Sequence, residues 1–268
     1  MSAHSVTDAE RERWEHDGFV VRESVLTPSE IDEMTGACEE LCARLAAHST
    51  EAHKVDVSSF YVFETDEPLN VMIKWEPGSR DVIQGVEPLV HLHPVLEQYA
   101  WHEGFAVPSR ELLDVDEVGL FTEKLNVKRA GVGGAYALHR ALPYWLGDAE
   151  DVERMVTVLL TLDEATAANG ALEVLPGSHL VDDLPYKESA LEFERNEIDP
   201  ELMDTSAMVP VEVPAGSAIF FGPRLVHRSG ANSSGQHRRA VLYTYQRAGL
   251  RDQRDINRAW FDAMRART

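Results

Sequence analysis

Cysteine is almost missing from this chain: Cys38 and Cys42 are the only two among 268 residues. They fall on one predicted helix, where they read as small buried apolar side chains, not as a disulfide framework or a metal site. A reducing cytoplasm is the expected location. Basic side chains are scarce as well, with 25 Lys and Arg against 46 Asp and Glu and a net charge of −21. Such a surface repels phosphate backbones and anionic lipid, which argues against nucleic-acid and membrane partners. Solvation is its simplest role; a preference for cationic substrates is the alternative. Long hydrophobic runs are also lacking. None approaches the roughly 20 residues needed to cross a bilayer. Met1-Ser2-Ala3-His4-Ser5 leads into a charged helix without the apolar core of a signal peptide.

What is present reads as one domain over residues 1–268, with a helical N-terminal cover (1–50) and a lid-like insertion (181–208). Thr7-Asp8-Ala9-Glu10 has capping-box spacing and opens a short helix that stops near Gly18. Thr27-Pro28-Ser29-Glu30 is a stronger start, with a cap residue, Pro at the first helical position and Glu three after the cap. Ile31, Met34, Cys38, Leu41, Cys42 and Leu45 then mark one buried face of a helix ending near His48. Further on the texture changes to short apolar runs punctuated by Gly and Pro. Strands are expected at Val71–Ile73, Gly119–Lys128, Met155–Leu162, Ala171–Leu175, Val209–Val213, Ala218–Phe221 and Ala240–Gln246. Helices are expected from Pro94 to Trp101 and from Asp252 to Met264. Many short strands with this punctuation predict a mainly β fold with flanking helices, a double-sheet jelly roll or related barrel. The polar stretch Val181–Met208 lacks strand alternation and reads as a loop or lid. Its acids (Asp182, Asp183, Glu188, Glu192, Glu194) either solvate that loop or greet a cationic group.

Two short segments carry the chemistry: Leu138-His139-Arg140-Ala141-Leu142-Pro143-Tyr144-Trp145, and His227-Arg228-Ser229-Gly230-Ala231-Asn232. Each His is expected at the end of a strand, and only a folded sheet brings the two together. They look like halves of a mononuclear non-haem iron site, which holds the metal with two His and one carboxylate on one face. Arg238 stands on the strand after the second His. A planar guanidinium there can grip a carboxylate through two parallel hydrogen bonds, as anchoring the distal carboxylate of 2-oxoglutarate requires. Arg239 should face the opposite way, because side chains alternate along a strand. Lys124 and Asn126 share one face of a predicted strand and are candidates to point into the barrel. Tyr144, Trp145 and Phe121 either line a substrate pocket or pack in the core. Arg140 either helps hold an anion or points to solvent.

These features, in order, resemble the phytanoyl-CoA dioxygenase family of Fe(II)/2-oxoglutarate oxygenases. The matching residues are Asp17-Gly18-Phe19-Val20-Val21, His139 with Leu142-Pro143-Tyr144-Trp145, Asn169-Gly170-Ala171-Leu172, and Leu175-Pro176-Gly177-Ser178-His179. They continue through His227, Ser229, Asn232 and Arg238. The resemblance implies a double-stranded β-helix (cupin-like) core with His139 and His227 as Fe(II) ligands. It also implies 2-oxoglutarate as co-substrate, held by Arg238 with Ser229 beside it. Asn169-Gly170 and Pro176-Gly177-Ser178-His179 read as turn architecture, with His179 no ligand.

The departure is Ala141, where hydroxylating members carry the Asp that completes the metal triad. An alanine methyl cannot bind a metal, so one ligand and one negative charge are lost. Iron/2-oxoglutarate halogenases resemble this family and carry Ala or Gly at that position, and chloride fills the gap. That similarity implies radical chlorination of an unactivated C–H bond in a small molecule, free or tethered to a carrier protein. Two alternatives stay open at this stage. One is a hydroxylase whose Asp has been replaced, and the other is a barrel that binds a small molecule without turnover.

Overall fold

The computed structural model describes residues 2–58, 61–189 and 194–265. Both N-terminal caps form as the sequence predicts. Helix α1 (Asp8–Asp17) opens on a reciprocal capping box between Thr7 and Glu10, and strand β1 (Phe19–Arg22) follows. Helix α2 (Pro28–His48) repeats the device with Thr27 and Glu30 and buries Met34, Cys38, Leu41, Cys42 and Leu45. Both thiols are free. Burial pushes the Cys42 thiol up to about 12 and Cys38 further, so neither carries thiolate character.

Four strands then run antiparallel: β2 (Val55–Ser58), β3 (Tyr61–Asp66), β4 (Val71–Glu76) and β5 (Ser79–Glu87). Helices α3 (Pro94–Tyr99) and α4 (Glu103–Leu113) lead into the long strand β6 (Val118–Lys128). Strand β7 (Tyr136–His139) is followed at once by the one-turn helix α5 (Leu142–Trp145). The remaining elements are β8 (Val156–Thr161), β9 (Leu172–Val174), β10 (Val209–Pro210), β11 (Ala218–Phe221), β12 (His227–Ser229), β13 (Arg238–Arg247) and α6 (Gln253–Arg265).

The strands form two sheets. The larger runs β1-β11-β8-β13-β6-β5-β4-β3-β2 and the smaller β10-β9-β12-β7. This is the double-sheet, mainly β architecture with flanking helices that the punctuation predicts. Alternation along the central strands divides the molecule in two. On β13, Val241, Tyr243 and Tyr245 face outward into the core shared with α2, α3 and α4. The Tyr243 hydroxyl donates to the Leu96 carbonyl at 2.9 Å, and that of Tyr245 to the Ala100 carbonyl at 2.5 Å. Arg238, Leu242 and Thr244, at the alternate positions, line the space between the sheets.

Two expectations change. Val209–Val213 is paired as a strand only at Val209–Pro210, because the Val211 amide makes a single bond to the Leu172 carbonyl and Val213 forms an isolated bridge with Ala165. The lid-like insertion is partly a sheet edge. Glu197 bridges His139, the Ile198 amide donates to the Leu138 carbonyl at 2.7 Å, and Ile198 is fully buried. Glu192 lies outside the described residues.

Candidate active site

His139 and His227 come together through strand pairing. They are cross-strand partners of β7 and β12, with ring centroids 4.2 Å apart. His139 ends its strand as expected; His227 begins its own. Each Nδ1 lies within hydrogen-bond distance of a backbone carbonyl two residues back, Ala137 at 2.7 Å and Leu225 at 2.9 Å. A carbonyl can only accept, so both Nδ1 atoms carry the proton and both Nε2 atoms keep a lone pair. Burial drives His139 well below its ordinary range, reinforced by His227, and brings His227 down to about 4. Both imidazoles are therefore neutral near pH 7, the form that binds a metal.

Ala141 follows on the turn into α5 and lines the same cavity of about 370 Å³. Its methyl supplies no donor. Among the described residues no group of three His, Cys, Asp or Glu side chains is placed to hold a metal ion. Glu197 also lines the cavity and is ion-paired with Lys187 at 2.7 Å.

Arg238 is 3 % exposed and lines this cavity. Its Nη2 donates to the Gly170 carbonyl at 2.5 Å, while Nε is buried with no hydrogen-bond partner among the described residues. Burial pulls the guanidinium down to about 10, so it stays cationic near neutrality. A buried cation with an open donor calls for an anion, and a carboxylate fits. The turn that holds it depends on glycine. Gly170 has φ +81, and a Cβ there would lie 2.4 Å from the Gly230 carbonyl oxygen. Arg239 faces the other way, on Asp163 and Glu39, as alternation requires. Ser229 shares the cavity with Arg238.

Lys124 and Asn126 both line the cavity, with Asn126 Oδ1 accepting from the Tyr136 hydroxyl at 3.0 Å. Lys124 is ion-paired with Glu87 at 3.3 Å. The sequence reading passed over Lys128, the next residue on that face and the direct cross-strand partner of Arg238. Its ammonium donates to the carbonyls of Gly134, at 2.8 Å, and Gly230, and burial with Arg238 nearby pushes it down to about 6. The period of two that picked out Lys124 and Asn126 also reaches Lys128.

Other expectations are corrected. Arg140 neither holds an anion nor points to solvent. It donates to the Val181 and Asp182 carbonyls and the Tyr186 hydroxyl, tying the metal-site turn to the insertion. Tyr144 and Trp145 line the cavity, while Phe121 is sealed beneath Trp145 at 5.2 Å between centroids. Asp182 is turned to Arg224, and the cavity lining carries both signs, with Lys74, Lys124, Arg228 and Arg238 beside Glu87, Asp148 and Glu197. Asn232 braces the loop before β13, donating to the Lys128 and Gln236 carbonyls. His179 lies within hydrogen-bond distance of the Glu15 carbonyl, away from the site.

The two antiparallel sheets define a cupin-like jelly roll. Residues 14–240 match the family described as Phytanoyl-CoA dioxygenase (PhyH), and the chain belongs to that family of Fe(II)/2-oxoglutarate-dependent oxidoreductases. It is 26 % identical over 257 residues to methylphosphonate hydroxylase from Gimesia maris, covering 94 % of this chain and 85 % of the relative. It is 31 % identical over 147 residues to L-proline trans-4-hydroxylase from Streptomyces griseoviridis, covering 48 % of this chain and 55 % of that enzyme. Among solved structures, EctD from S. alaskensis with 2-oxoglutarate and 5-hydroxyectoine has the same fold, with a TM-score of 0.70. The two are 23 % identical, covering 94 % of this chain and 80 % of EctD. No helix among the described residues is long and apolar enough to cross a membrane.

Proposed function

We propose that this protein functionalises an unactivated C–H bond of a small molecule using Fe(II) and 2-oxoglutarate, with an exogenous halide in place of the missing carboxylate. The carrying observation is the combination at one cavity wall: two neutral imidazoles with free Nε2 atoms, and a methyl at Ala141. His139 and His227 would hold the iron, Arg238 with Ser229 would bind the distal carboxylate of 2-oxoglutarate, and the space at the Ala141 methyl would admit chloride. Lys124 and Asn126 would border the co-substrate. Iron with 2-oxoglutarate and dioxygen would supply the oxidising power: one oxygen atom ends in succinate as carbon dioxide is lost, the other leaves as water with the substrate hydrogen and a proton, and chloride takes the place of that hydrogen on carbon. The carbonyls of Ala137 and Leu225 fix the tautomer and aim of the imidazoles. Tyr144 and Trp145 wall off the substrate side and exclude water.

Hydroxylation is the second reading, and the names of the relatives favour it: a methylphosphonate hydroxylase and a proline hydroxylase. Ala141→Asp separates the two. In a halogenase, succinate formation depends on chloride or bromide, and Ala141→Asp abolishes incorporation of halogen. In a hydroxylase scaffold, Ala141→Asp raises 2-oxoglutarate turnover and halide has little effect.

A further inference from the structure

Three threonines stand side by side at the end of the cavity away from Arg238. Thr244 on β13 is the cross-strand partner of both Thr122 on β6 and Thr157 on β8, and all three line the cavity. Phe221 on β11 extends the row as the partner of Thr157, and its ring centroid lies 5.1 Å from that of His227. The row therefore ends against the histidine pair. Along β13, Thr244 is roughly 20 Å from Arg238 at about 3.3 Å per residue, so 2-oxoglutarate held at Arg238 does not reach it.

The hydroxyls are buried and not fully used. Thr157 and Thr244 are 4 % and 2 % exposed, with their Oγ1 atoms 3.0 Å apart. One hydroxyl donates to the other, and the accepting one keeps a proton for which no described residue supplies an acceptor. Thr122 donates instead to Glu87 at 2.9 Å, and Glu87 is ion-paired with Lys124, so the charges beside the row answer each other. Helix α6 brings a second polar pair. Gln253 and Asn257 share one helix face and line the cavity, with Gln253 Nε2 donating to Asn257 Oδ1 at 3.0 Å. Gln253 Oε1 and Asn257 Nδ2 keep an acceptor and a donor without a partner among the described residues. Gln246 sets α6 at this end of the strands, because its Nε2 donates to the carbonyls of both Leu120, at 3.2 Å, and Arg251, at 2.9 Å. The family match ends at residue 240, so Thr244, Gln253 and Asn257 lie beyond the shared part of the chain.

We infer that the Thr157 and Thr244 hydroxyls and the Gln253 and Asn257 carboxamides form the substrate-recognition subsite of this cavity, and that it takes an uncharged group with adjacent hydroxyls, as on a sugar ring. The proposal deepens the functional reading above and rests on it for the reaction at the bound group. Each ligand hydroxyl both donates and accepts, which matches a wall offering a hydroxyl proton, an amide N–H and an amide carbonyl. Trp145 and Phe221 supply aromatic surface in the same lining for the C–H bonds of such a ring. A charged group gains no counter-ion from Glu87 or Lys124, and Asp148 is exposed to solvent.

The test is a ligand-observed NMR titration of the full chain without added metal. The probes are methyl β-glucoside and methyl β-xyloside, compared with methoxycyclohexane, cyclohexanecarboxylate and cyclohexylammonium. Both glycosides are expected to bind and the other three not. Thr157→Val with Thr244→Val weakens glycoside binding by about tenfold or more, and Thr157→Ser with Thr244→Ser retains it. The valine pair should melt close to wild type, because both partners of the hydrogen bond become apolar groups of the same shape. Gln253→Leu with Asn257→Leu, on a half-buried helix face, weakens binding similarly and tests the subsite without touching the sheet. Failure of both glycosides to bind overturns the subsite, as does equal or tighter binding of methoxycyclohexane or either charged probe. So does unchanged glycoside binding in either double variant. A separate titration with Fe(II) and 2-oxoglutarate reports on the functional reading, so either idea fails without the other.

Discussion

Arg238 and Gly170 hold one another in place. The guanidinium needs the Gly170 carbonyl, and that carbonyl is presented by a left-handed residue with no room for a methyl. Gly170→Ala should therefore lower the melting temperature, since an L side chain in that conformation costs about 1–2 kcal/mol before any clash. It should also weaken 2-oxoglutarate binding, readable by titration. Arg238→Lys keeps a charge but loses the planar fork, so 2-oxoglutarate affinity is expected to fall roughly ten- to a hundredfold, the range of a lost charged hydrogen bond. His139, His227 and Arg238 stand out through their flanking motifs and the family resemblance, and the fold brings all three to one cavity. The row of Thr122, Thr244 and Thr157 does not, because its meaning comes from register across β6, β13 and β8, and no local pattern encodes which strands lie side by side. Ala141 was legible only as a missing carboxylate; that Glu197 from the insertion also reaches this cavity needed the fold.

Among the elements, the helices with explicit caps could be read almost to the residue: α1 and α2 begin where Thr7 and Thr27 say they should. Helix α4 escaped notice because Gly104 and the Pro108 inside it interrupt its pattern. Strands β3 and β5 were missed because polar residues and turns mask their alternation. The α1–β1 corner carries a pH-dependent tie. Burial opposes ionisation of Glu10, but hydrogen bonds from Arg22 and from Thr7 outweigh it and hold the carboxyl down at about 2, against 4.5 ordinarily. A depressed carboxylate stabilises the fold above its unfolded value, and the benefit is lost as pH falls from about 4.5 toward 2. Melting curves should show wild type above Glu10→Gln at pH 7, with the gap closing across that window. In α2, Leu41 is fully buried, and Leu41→Ala should destabilise by about 2–5 kcal/mol in denaturant unfolding. Iron and 2-oxoglutarate affinity should stay unchanged, because α2 packs on the outer face of the large sheet.

For the whole molecule, a chain of net charge −21 encloses a cavity lined by both signs, Lys74, Lys124, Arg228 and Arg238 with Glu87, Asp148 and Glu197. Net charge is a property of the whole chain and leaves the balance of signs inside the cavity open, which is why solvation is its simplest reading. The two sheets join these levels: pairing of β7 with β12 sets His139 against His227, and pairing of β13 with β6 sets Arg238 against Lys128. The central claim is that an exogenous anion completes a two-histidine iron site. Its most direct test is anaerobic titration of the metal-free protein with Fe(II) and 2-oxoglutarate, following the charge-transfer absorption before and after chloride is added. The account predicts a band that shifts or strengthens with chloride in the wild type and does not respond in Ala141→Asp. A wild-type band indifferent to chloride, or no band under either condition, contradicts it.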